Sequence, residues 1–348
     1  MAAFSNVGEN HWQRIFLFKF AKPESKHLLL VDSGFRCHLT SYNRAAATTP
    51  SSFVTKLRKH LKTRRVTGVR QLGTDRVLEL TFSNGEYRLC FEFYAGGNVV
   101  LVGKTGAVLV LLRIVNGGED GVNECKVGVQ YQLEGRGVME ASLKERIEAA
   151  LRDGIEEGGA EAEIGKWKKR QKKKKKGGEG IKKLLAGKMS EFSPTLIEHC
   201  FGVVGMDINL KAEEVLGDSG KIADIVRAFE EAMRIVRKIL DQVDSGEIKG
   251  YILAKLPSAD PTTPKGATEK GGKKGVSFGS NEAIEDEQEV EKVQQEGEGK
   301  GLVFDDFHPF LPKQFENSST VKILEYQGFN HTVDTFVSLR ARKFWRNY

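Results

Sequence analysis

The sequence contains few cysteines, and none of them are spaced to hold a metal ion. Four occur among 348 residues, and no two of them form a C-x-x-C pair. They are Cys37, Cys90, Cys125 and Cys200. Structural zinc sites and disulfide-stapled folds both use cysteines in closer and more regular patterns. The sequence therefore predicts neither kind of site, and it fits a reducing compartment.

Long apolar segments are also missing. No run of about 18 apolar residues occurs, so the sequence predicts no transmembrane helix. The first residues, MAAFSNVGENHWQR, lack the charged region followed by an apolar region that marks a secretory signal. We therefore expect neither membrane insertion nor secretion, and we expect the glycosylation patterns at Asn317 and Asn330 to be chance matches.

A third absence is local, because no Asp or Glu occurs between Ser51 and Leu72. The same stretch holds seven Lys or Arg residues, which equals the net excess of a chain with 54 basic and 47 acidic residues. They are Lys56, Arg58, Lys59, Lys62, Arg64, Arg65 and Arg70. A field of one sign on a folded element is typical of proteins that bind a phosphate backbone. The alternative is a charged helix face that is only solvated.

This basic stretch begins with an amphipathic helix and leads into a β-hairpin. Ser51 or Ser52 can cap the helix. Its apolar residues fall within one arc of about 100°, namely Phe53, Val54, Leu57 and Leu61. Alternating apolar residues over 77–82 and 87–93 then flank Asn84-Gly85, a dipeptide that favours a type I′ turn. We expect the helix to pack on the sheet and to leave its cations exposed beside Asp75-Arg76.

Apolar runs predict further strands in the first 133 residues, whereas residues 1–14 are polar and poorly patterned. The predicted strands are 15–20, 28–31, 33–40, 99–102 and 108–115. Helical patterns follow over 140–152 and 181–246, with Ser193 and Ser219 at helix starts. Strands are expected again at 250–255, 302–304 and 321–326, before a final helix from Asn330. The class predicted is α+β, with a mostly antiparallel sheet.

Two segments have the composition of disordered linkers. Residues 153–180 are rich in Gly, Glu and Lys, with nine basic residues among the eleven of 166–176. Residues 257–301 are first rich in Gly, Lys and Pro and then acidic. Neither can bury enough apolar surface to offset the entropy of ordering. The Lys run could touch RNA without specificity, act in nuclear import, or be a solvated insertion.

Several ordered motifs resemble one family. They are FLFKFA at 16–21, SGFRCHLT at 33–40, PSSF at 50–53 with LRKHL at 57–61, GTDR at 73–76, EFYAGGN at 92–98, PTLIEH at 194–199, DDFHPF at 305–310 and GFNHTVD at 328–334. The chain resembles the NFACT-N domain, in particular the eukaryotic branch described as ribosome quality control complex subunit 2 or nuclear export mediator factor. The resemblance spans about Ile15 to Phe336, apart from the two linkers.

The resemblance implies a fold and a domain order. The NFACT-N domain is similar to the N-terminal lobe of formamidopyrimidine-type DNA glycosylases, followed by a helical module like a helix-two-turn-helix. We therefore expect a β-rich lobe over 1–150, a disordered insertion over 151–184 and the helical module over 185–256. A disordered acidic linker over 257–301 and a strand pair with a helix over 302–348 would follow.

The resemblance also implies a function, which is that of a binding protein and not of an enzyme. Family members bind the large ribosomal subunit that carries a stalled peptidyl-tRNA, block subunit rejoining and support the ubiquitin ligase Listerin. They recruit charged alanine and threonine tRNAs, and the nascent chain is then extended without mRNA. For this chain we expect these partners, no cofactor or metal, no membrane contact, and a cytoplasmic location with a nuclear one left open.

The family's Asp-Arg pair, needed for tRNA recruitment, matches Asp75-Arg76. An arginine offers a planar fork for phosphates or base edges, and a neighbouring carboxylate can orient it. The predicted tRNA-binding set is this pair with the seven cations named above. The alternative for the pair is a surface ion pair worth about 0–1 kcal/mol. Tyr42 lies near the stretch and could stack on bases if exposed, whereas Phe53 is expected to lie in the core.

The chain also departs from the family pattern. Met1 to Arg14 does not match the helix with which family members usually begin, and Glu9 does not replace the acidic residue of that helix. The long coiled coil of the family is absent, so we expect a chain truncated at both ends that lacks full tailing activity.

Two other functions compete with tRNA binding. One is a protein-interaction scaffold whose basic face is incidental. The other is a DNA glycosylase, which would need an N-terminal proline, an adjacent glutamate and clustered cysteines, whereas this sequence begins Met1-Ala2-Ala3-Phe4.

Overall fold

The computed structural model describes residues 2–10, 14–43, 49–73, 75–117, 124–133, 141–164, 180–245, 248–256 and 302–346. The described residues combine helices with antiparallel sheets, which confirms the predicted α+β class. The chain divides into two compact units, Met1–Arg237 and Lys238–Tyr348. The five domain limits expected from the sequence stay a prediction, and most of the two linkers lies outside the described residues.

The first sheet has four antiparallel strands in the order β1-β2-β3-β4. They are β1 Ala3–Asn10, β2 Ile15–Ala21, β3 Lys26–Asp32 and β4 Arg36–Thr40. Residues 1–14 are too weakly patterned for the sequence to predict an element there, yet β1 forms and pairs along the whole of β2. A register shift between Phe4 and Asn6 lets Phe4 and Val7 enter the same core at a spacing of three. That spacing hides the two-residue alternation by which strands are recognised.

The second sheet has five antiparallel strands in the order β5-β6-β7-β8-β9. They are β5 Val66–Gln71, β6 Val77–Phe82, β7 Tyr87–Glu92, β8 Asn98–Gly103 and β9 Val108–Leu111. The predicted hairpin is β6-β7, but its connection is longer than a two-residue type I′ turn. Phe82 pairs with Tyr87, so four residues form the loop, and Ser83 joins Asn84 and Gly85 in having positive φ. The edge strand β5 was not predicted, because its residues are polar and partly exposed.

The two sheets share one hydrophobic core with the helix α1, Ser52–Leu61. They are also joined directly, because the Phe4 N–H donates to the Arg64 carbonyl at 2.8 Å and the Val66 N–H donates to the Ala2 carbonyl at 2.9 Å. Aromatic rings dominate the core, with Phe18 and Phe91 at a centroid distance of 5.3 Å. This arrangement makes the β-rich lobe and α1 one packed body.

The other face of the second sheet is covered as well. Val77, Cys90 and Val100 form a second core with Cys125 and Tyr131, which come from the segment after β9. Glu92 is buried there and accepts a hydrogen bond of 2.7 Å from the Tyr131 hydroxyl. The middle of the second sheet therefore has two buried faces, which explains why β8 is buried along its whole length.

The helical module follows the sheets. Its helices are α2 Leu143–Ile164, α3 Ile181–Lys188, α4 Pro194–Val204, α5 Ala212–Leu216 and α6 Ser219–Ser245. The expectation of disorder from residue 153 onward is wrong as far as Ile164, because α2 continues to that residue. Ser193 caps α4 as predicted, with a bond of 3.2 Å from the Leu196 N–H. Asp218, and not Ser219, accepts the first free N–H groups of α6, from Gly220 and Lys221.

The second unit contains a three-stranded antiparallel sheet in the order β11-β10-β12. Its elements are β10 Lys249–Lys255, β11 Val303–His308, β12 Val321–Gln327 and α7 Phe329–Arg346. Gly250 lies where α7 crosses β10, and a Cβ atom there would stand 2.1 Å from the Thr332 hydroxyl oxygen. The strands and the final helix expected at this end of the chain are thus confirmed.

We expect acid to weaken the fold through His308. This side chain is 8% exposed, and desolvation lowers its pKa below 6.5, although Asp306 opposes the shift. At a pH between the lowered value and 6.5, the unfolded chain binds a proton that the folded chain does not. The free energy of unfolding should therefore fall as the pH drops through that range. Chemical denaturation of the wild type and of His308→Gln between about pH 5 and 7.5 checks this, and equal pH profiles would contradict it.

Candidate nucleic-acid interface

Helix α1 forms as the sequence predicts. The Ser51 hydroxyl accepts the Val54 N–H at 3.2 Å, which satisfies one free donor of the first turn. The four predicted apolar residues are all buried in the shared core. Phe53 is among them and packs edge-on against Phe16 at 5.4 Å, so it is a core residue as expected. Tyr42 is partly exposed.

Arg58 of α1 turns toward the protein. Its Nε and Nη2 atoms donate to the Val7 carbonyl at 3.0 and 2.6 Å. This guanidinium therefore ties α1 to β1, and its replacement should affect the packing of the lobe. Among the seven predicted cations, Arg58 is thus a structural residue in the described fold.

Two other cations of the set are paired with carboxylates. Arg64 Nη1 lies 2.6 Å from Glu86 Oε2, and the guanidinium lies 5.2 Å from the centre of the Tyr87 ring. Arg70 Nη2 lies 3.0 Å from Glu79 Oε2, and the Glu79 side chain is only 1% exposed. A buried carboxylate needs such a partner, because an unpaired charge in the interior is costly.

Arg70 lies on the face of the second sheet opposite to the face that α1 covers. It pairs across the strands with Glu79, and Glu79 pairs with Cys90. Directly opposite residues share a face, and Cys90 belongs to the second core, whereas α1 packs on the first. The expected single cationic face is therefore divided, with Arg70 on the side away from α1.

The remaining four cations are exposed. They are Lys56, Lys59, Lys62 and Arg65. None of their side chains makes an ion pair or hydrogen bond with any other described residue. Lys56 and Lys59 lie on α1, Lys62 directly follows its last residue, and Arg65 lies in the connection to β5. Together they form the exposed cationic strip.

Asp75 and Arg76 lie in the turn between β5 and β6. The Asp75 carboxylate accepts the Arg76 N–H at 3.0 Å, and the Arg76 carbonyl accepts the Phe93 N–H at 2.8 Å. Gln71 adds a bond of 2.8 Å from its Nε2 atom to the Asp75 carbonyl. The backbone of the pair is therefore held from both sides.

The Arg76 side chain itself is exposed. Its guanidinium makes no ion pair with any described residue, so the alternative of a simple surface ion pair with Asp75 is not what the turn contains. The pair lies at the far end of β5 from Arg65. Six strand residues separate the two ends, which is about 20 Å at 3.3 Å per residue. A ligand that contacts both the strip and Arg76 must be extended.

Two partly exposed rings next to the strip were not predicted as site residues. The His60 and Tyr87 ring centroids lie 5.6 Å apart. Burial and the neighbouring charge of Lys59 lower the pKa of His60 below its usual value. The sequence held only a weak signal for them, since both fit the helix and strand patterns as ordinary members.

No group of His, Cys, Asp and Glu that could hold a metal ion occurs within the described ranges. No helix among the described residues is long and apolar enough to cross a bilayer.

Comparison with known proteins decides the family. The family model of the NFACT N-terminal and middle domains matches residues 13–249, which is more than half of the chain. The chain belongs to the NFACT family. It is 32% identical to ribosome quality control complex subunit 2 of Schizosaccharomyces pombe over 95% of its own length. It is 29% identical to ribosome quality control complex subunit NEMF of Homo sapiens over 93% of its length.

The NFACT chain spans only part of these relatives, 31% of the fission yeast protein and 25% of the human one. Among solved structures, the fibrinogen binding protein from Staphylococcus aureus has a TM-score of 0.51 at 14% identity, covering 96% of this chain and 91% of that one. At that identity the likeness concerns the fold alone.

Proposed function

We propose that this chain is the tRNA-binding part of a ribosome quality control factor. Its relatives are named as subunits of a ribosome quality control complex. They are several times longer than this chain, so the activity of the whole complex subunit is proposed only for the full-length protein. The proposed ligand is tRNA, with alanine and threonine tRNAs as the first to test. The chain acts by binding and not by chemistry, since peptide-bond formation would remain with the ribosome.

The proposal rests on one observation, which is the exposure of the Arg76 side chain. An exposed guanidinium on a turn whose backbone is held by hydrogen bonds is available to an external partner, and binding has to order only its side chain. Arginine suits phosphate and base edges because its planar fork can donate two parallel bonds. The exposed cationic strip would add phosphate contacts about 20 Å away.

The remaining parts of the proposal concern partners and place. The large ribosomal subunit and the ligase Listerin are the expected macromolecular partners, with no membrane. Ribosome association would place the chain in the cytoplasm, and a nuclear fraction is left open. The assignment of Arg58, Arg64 and Arg70 to tRNA is weaker than that of the strip, because each is engaged within the lobe.

Charge reversal in the strip is the experiment that tests this function. In Lys59→Glu with Lys62→Glu we expect tRNA affinity to fall about tenfold at low salt. The slope of log affinity against log salt should become shallower by about 1.4, since two phosphates are no longer neutralised at about 0.7 each. Filter binding over a salt series measures both quantities.

A matched control comes from the other sheet. Lys22→Glu with Lys26→Glu changes two exposed lysines, one between β2 and β3 and one at the start of β3. Like the strip variant, it lowers the net charge by four units, from +7 to +3. If both variants bind tRNA equally well, the strip is not the contact surface. If the wild type binds tRNA with no dependence on salt, the scaffold alternative is favoured. A collapse of the melting temperature in the strip variant would make those lysines structural.

A further inference from the structure

Three side chains form a contacting group at the junction of α1, β5 and β7. The guanidinium of Arg64 lies over the Tyr87 ring at 5.2 Å, and the His60 ring packs against the same ring at 5.6 Å with an interplanar angle of 55°. All three are partly exposed. We call them the His60–Arg64–Tyr87 cluster.

Arg64 is fixed in this cluster on two sides. Tyr87 covers one face of its guanidinium, and Glu86 Oε2 accepts from its Nη1 atom at 2.6 Å. One edge of the fork is therefore occupied, which makes a bidentate phosphate contact unfavourable. The side chain is still 38% exposed, so a ligand can reach it. A guanidinium plane held in this way is suited to stack on a nucleobase.

The other two members offer polar atoms that the lobe does not use. Neither the Tyr87 hydroxyl nor the ring nitrogens of His60 form a hydrogen bond with another described residue. Because its pKa is lowered, the His60 ring is neutral at physiological pH and presents one donor and one acceptor. Such a ring can pair with the edge of a base without adding charge.

Backbone strain surrounds the cluster. Thr63, Ser83 and Asn84 all have positive φ, at 65°, 49° and 55°, although none is glycine. The two strained connections are interlocked, since the Ser83 N–H donates to the Arg65 carbonyl at 3.0 Å and the Asn84 N–H donates to the Thr67 hydroxyl at 3.1 Å. Such conformations cost about 1–3 kcal/mol each and persist where the surroundings impose them, often at binding sites.

We propose that the His60–Arg64–Tyr87 cluster binds one unpaired nucleotide of the RNA. The base stacks on the Arg64 guanidinium and beside the His60 ring. The flanking phosphates meet Lys62 and Arg65 of the exposed cationic strip. The inference rests on the proposed function, and it adds a specific feature to it, which is a preference for single-stranded over paired RNA at this end of β5.

The test uses a short single-stranded RNA that contains a fluorescent adenine analogue, whose emission is quenched by stacking. Wild-type chain should quench it. We expect His60→Ala and Tyr87→Leu to bind this RNA at least about fivefold more weakly and to lose the quenching, since stacking is worth about 1–3 kcal/mol per base. Arg64→Lys should lose the quenching while keeping the charge. Affinity for a blunt RNA duplex should change by less than about twofold in all three.

His27→Ala is the matched control, because it removes a partly exposed histidine from β3, away from the cluster. Tyr87 also packs on the shared core, so its variant is checked by thermal melting, whereas His60→Ala removes a ring on the polar side of α1. If the cluster variants bind the single-stranded RNA and quench its fluorescence as the wild type does, the cluster is not a base-binding site. The proposed function is not affected by that result. If the wild-type chain binds tRNA in the filter assay but neither of these two RNAs, the cluster proposal is overturned and the proposed function is kept. If it does not bind tRNA either, both proposals are overturned.

Discussion

A chain that carries both Asp75→Ala and Arg76→Ala is expected to bind tRNA at least tenfold more weakly than the wild type. Arginine contacts to phosphates or base edges are worth about 1–3 kcal/mol, and about 1.4 kcal/mol corresponds to a tenfold change. The Arg76 side chain is exposed, so its loss removes no packing. Loss of the Asp75 carboxylate removes its hydrogen bond of 3.0 Å from the Arg76 N–H, and a bond of this kind contributes about 1 kcal/mol.

Two single variants separate the roles of the pair. Arg76→Lys keeps the charge but loses the planar fork, so a substantial loss of affinity would mean that the fork itself is read. Asp75→Asn keeps an oxygen that can accept the Arg76 N–H, so it should preserve the turn while removing the negative charge. Filter binding with charged and uncharged tRNA measures the affinities, and thermal melting checks the fold. Unchanged affinity in the double variant at an unchanged melting temperature would remove the pair from the proposed site.

The sequence was most informative where one physical effect dominated. Helix α1 combines an apolar arc with a capping serine, and both act locally, so the prediction and the structure agree. The β6-β7 hairpin was predicted from alternation, but the length of its connection was not. Ser83 adopts positive φ because it is held by the carbonyl of Arg65, a residue distant in sequence. Such a constraint cannot be read from a local dipeptide.

The candidate site was predictable only in part, for a related reason. Counting charges identified the cations, but burial and partners decide which of them can meet a ligand. Arg58 donates to a carbonyl of β1, and Arg70 pairs with the buried Glu79. Both partners lie on strands, and the sequence does not give the register of those strands. The helical period correctly placed Lys56, Lys59 and Lys62 on the exposed side of α1. Periodicity therefore predicts exposure within one helix better than pairing between elements.

Replacement of Gly97 by alanine is expected to destabilise the first unit by about 2–4 kcal/mol, the largest effect on stability that we foresee. Gly97 has a φ of +66°, and a Cβ atom there would stand 2.2 Å from the backbone nitrogen of Gly34. The turn between β7 and β8 thus touches the turn between β3 and β4 through backbone atoms. Neither side can yield by rotating a side chain, so the two turns would have to separate.

Gly128→Ala isolates the conformational part of this cost. Gly128 also has positive φ, at +88°, but nothing lies within 4 Å of a Cβ atom there. Its variant should therefore lose only about 1 kcal/mol, and the difference from Gly97→Ala measures the clash. Chemical denaturation of the two variants gives both values, and equal losses would mean that the turns do not touch in solution. The contact matters for binding as well, because Arg76 is hydrogen-bonded to Phe93 at this end of the sheet. A variant that separates the turns should then also weaken tRNA binding, whereas Gly128→Ala should not.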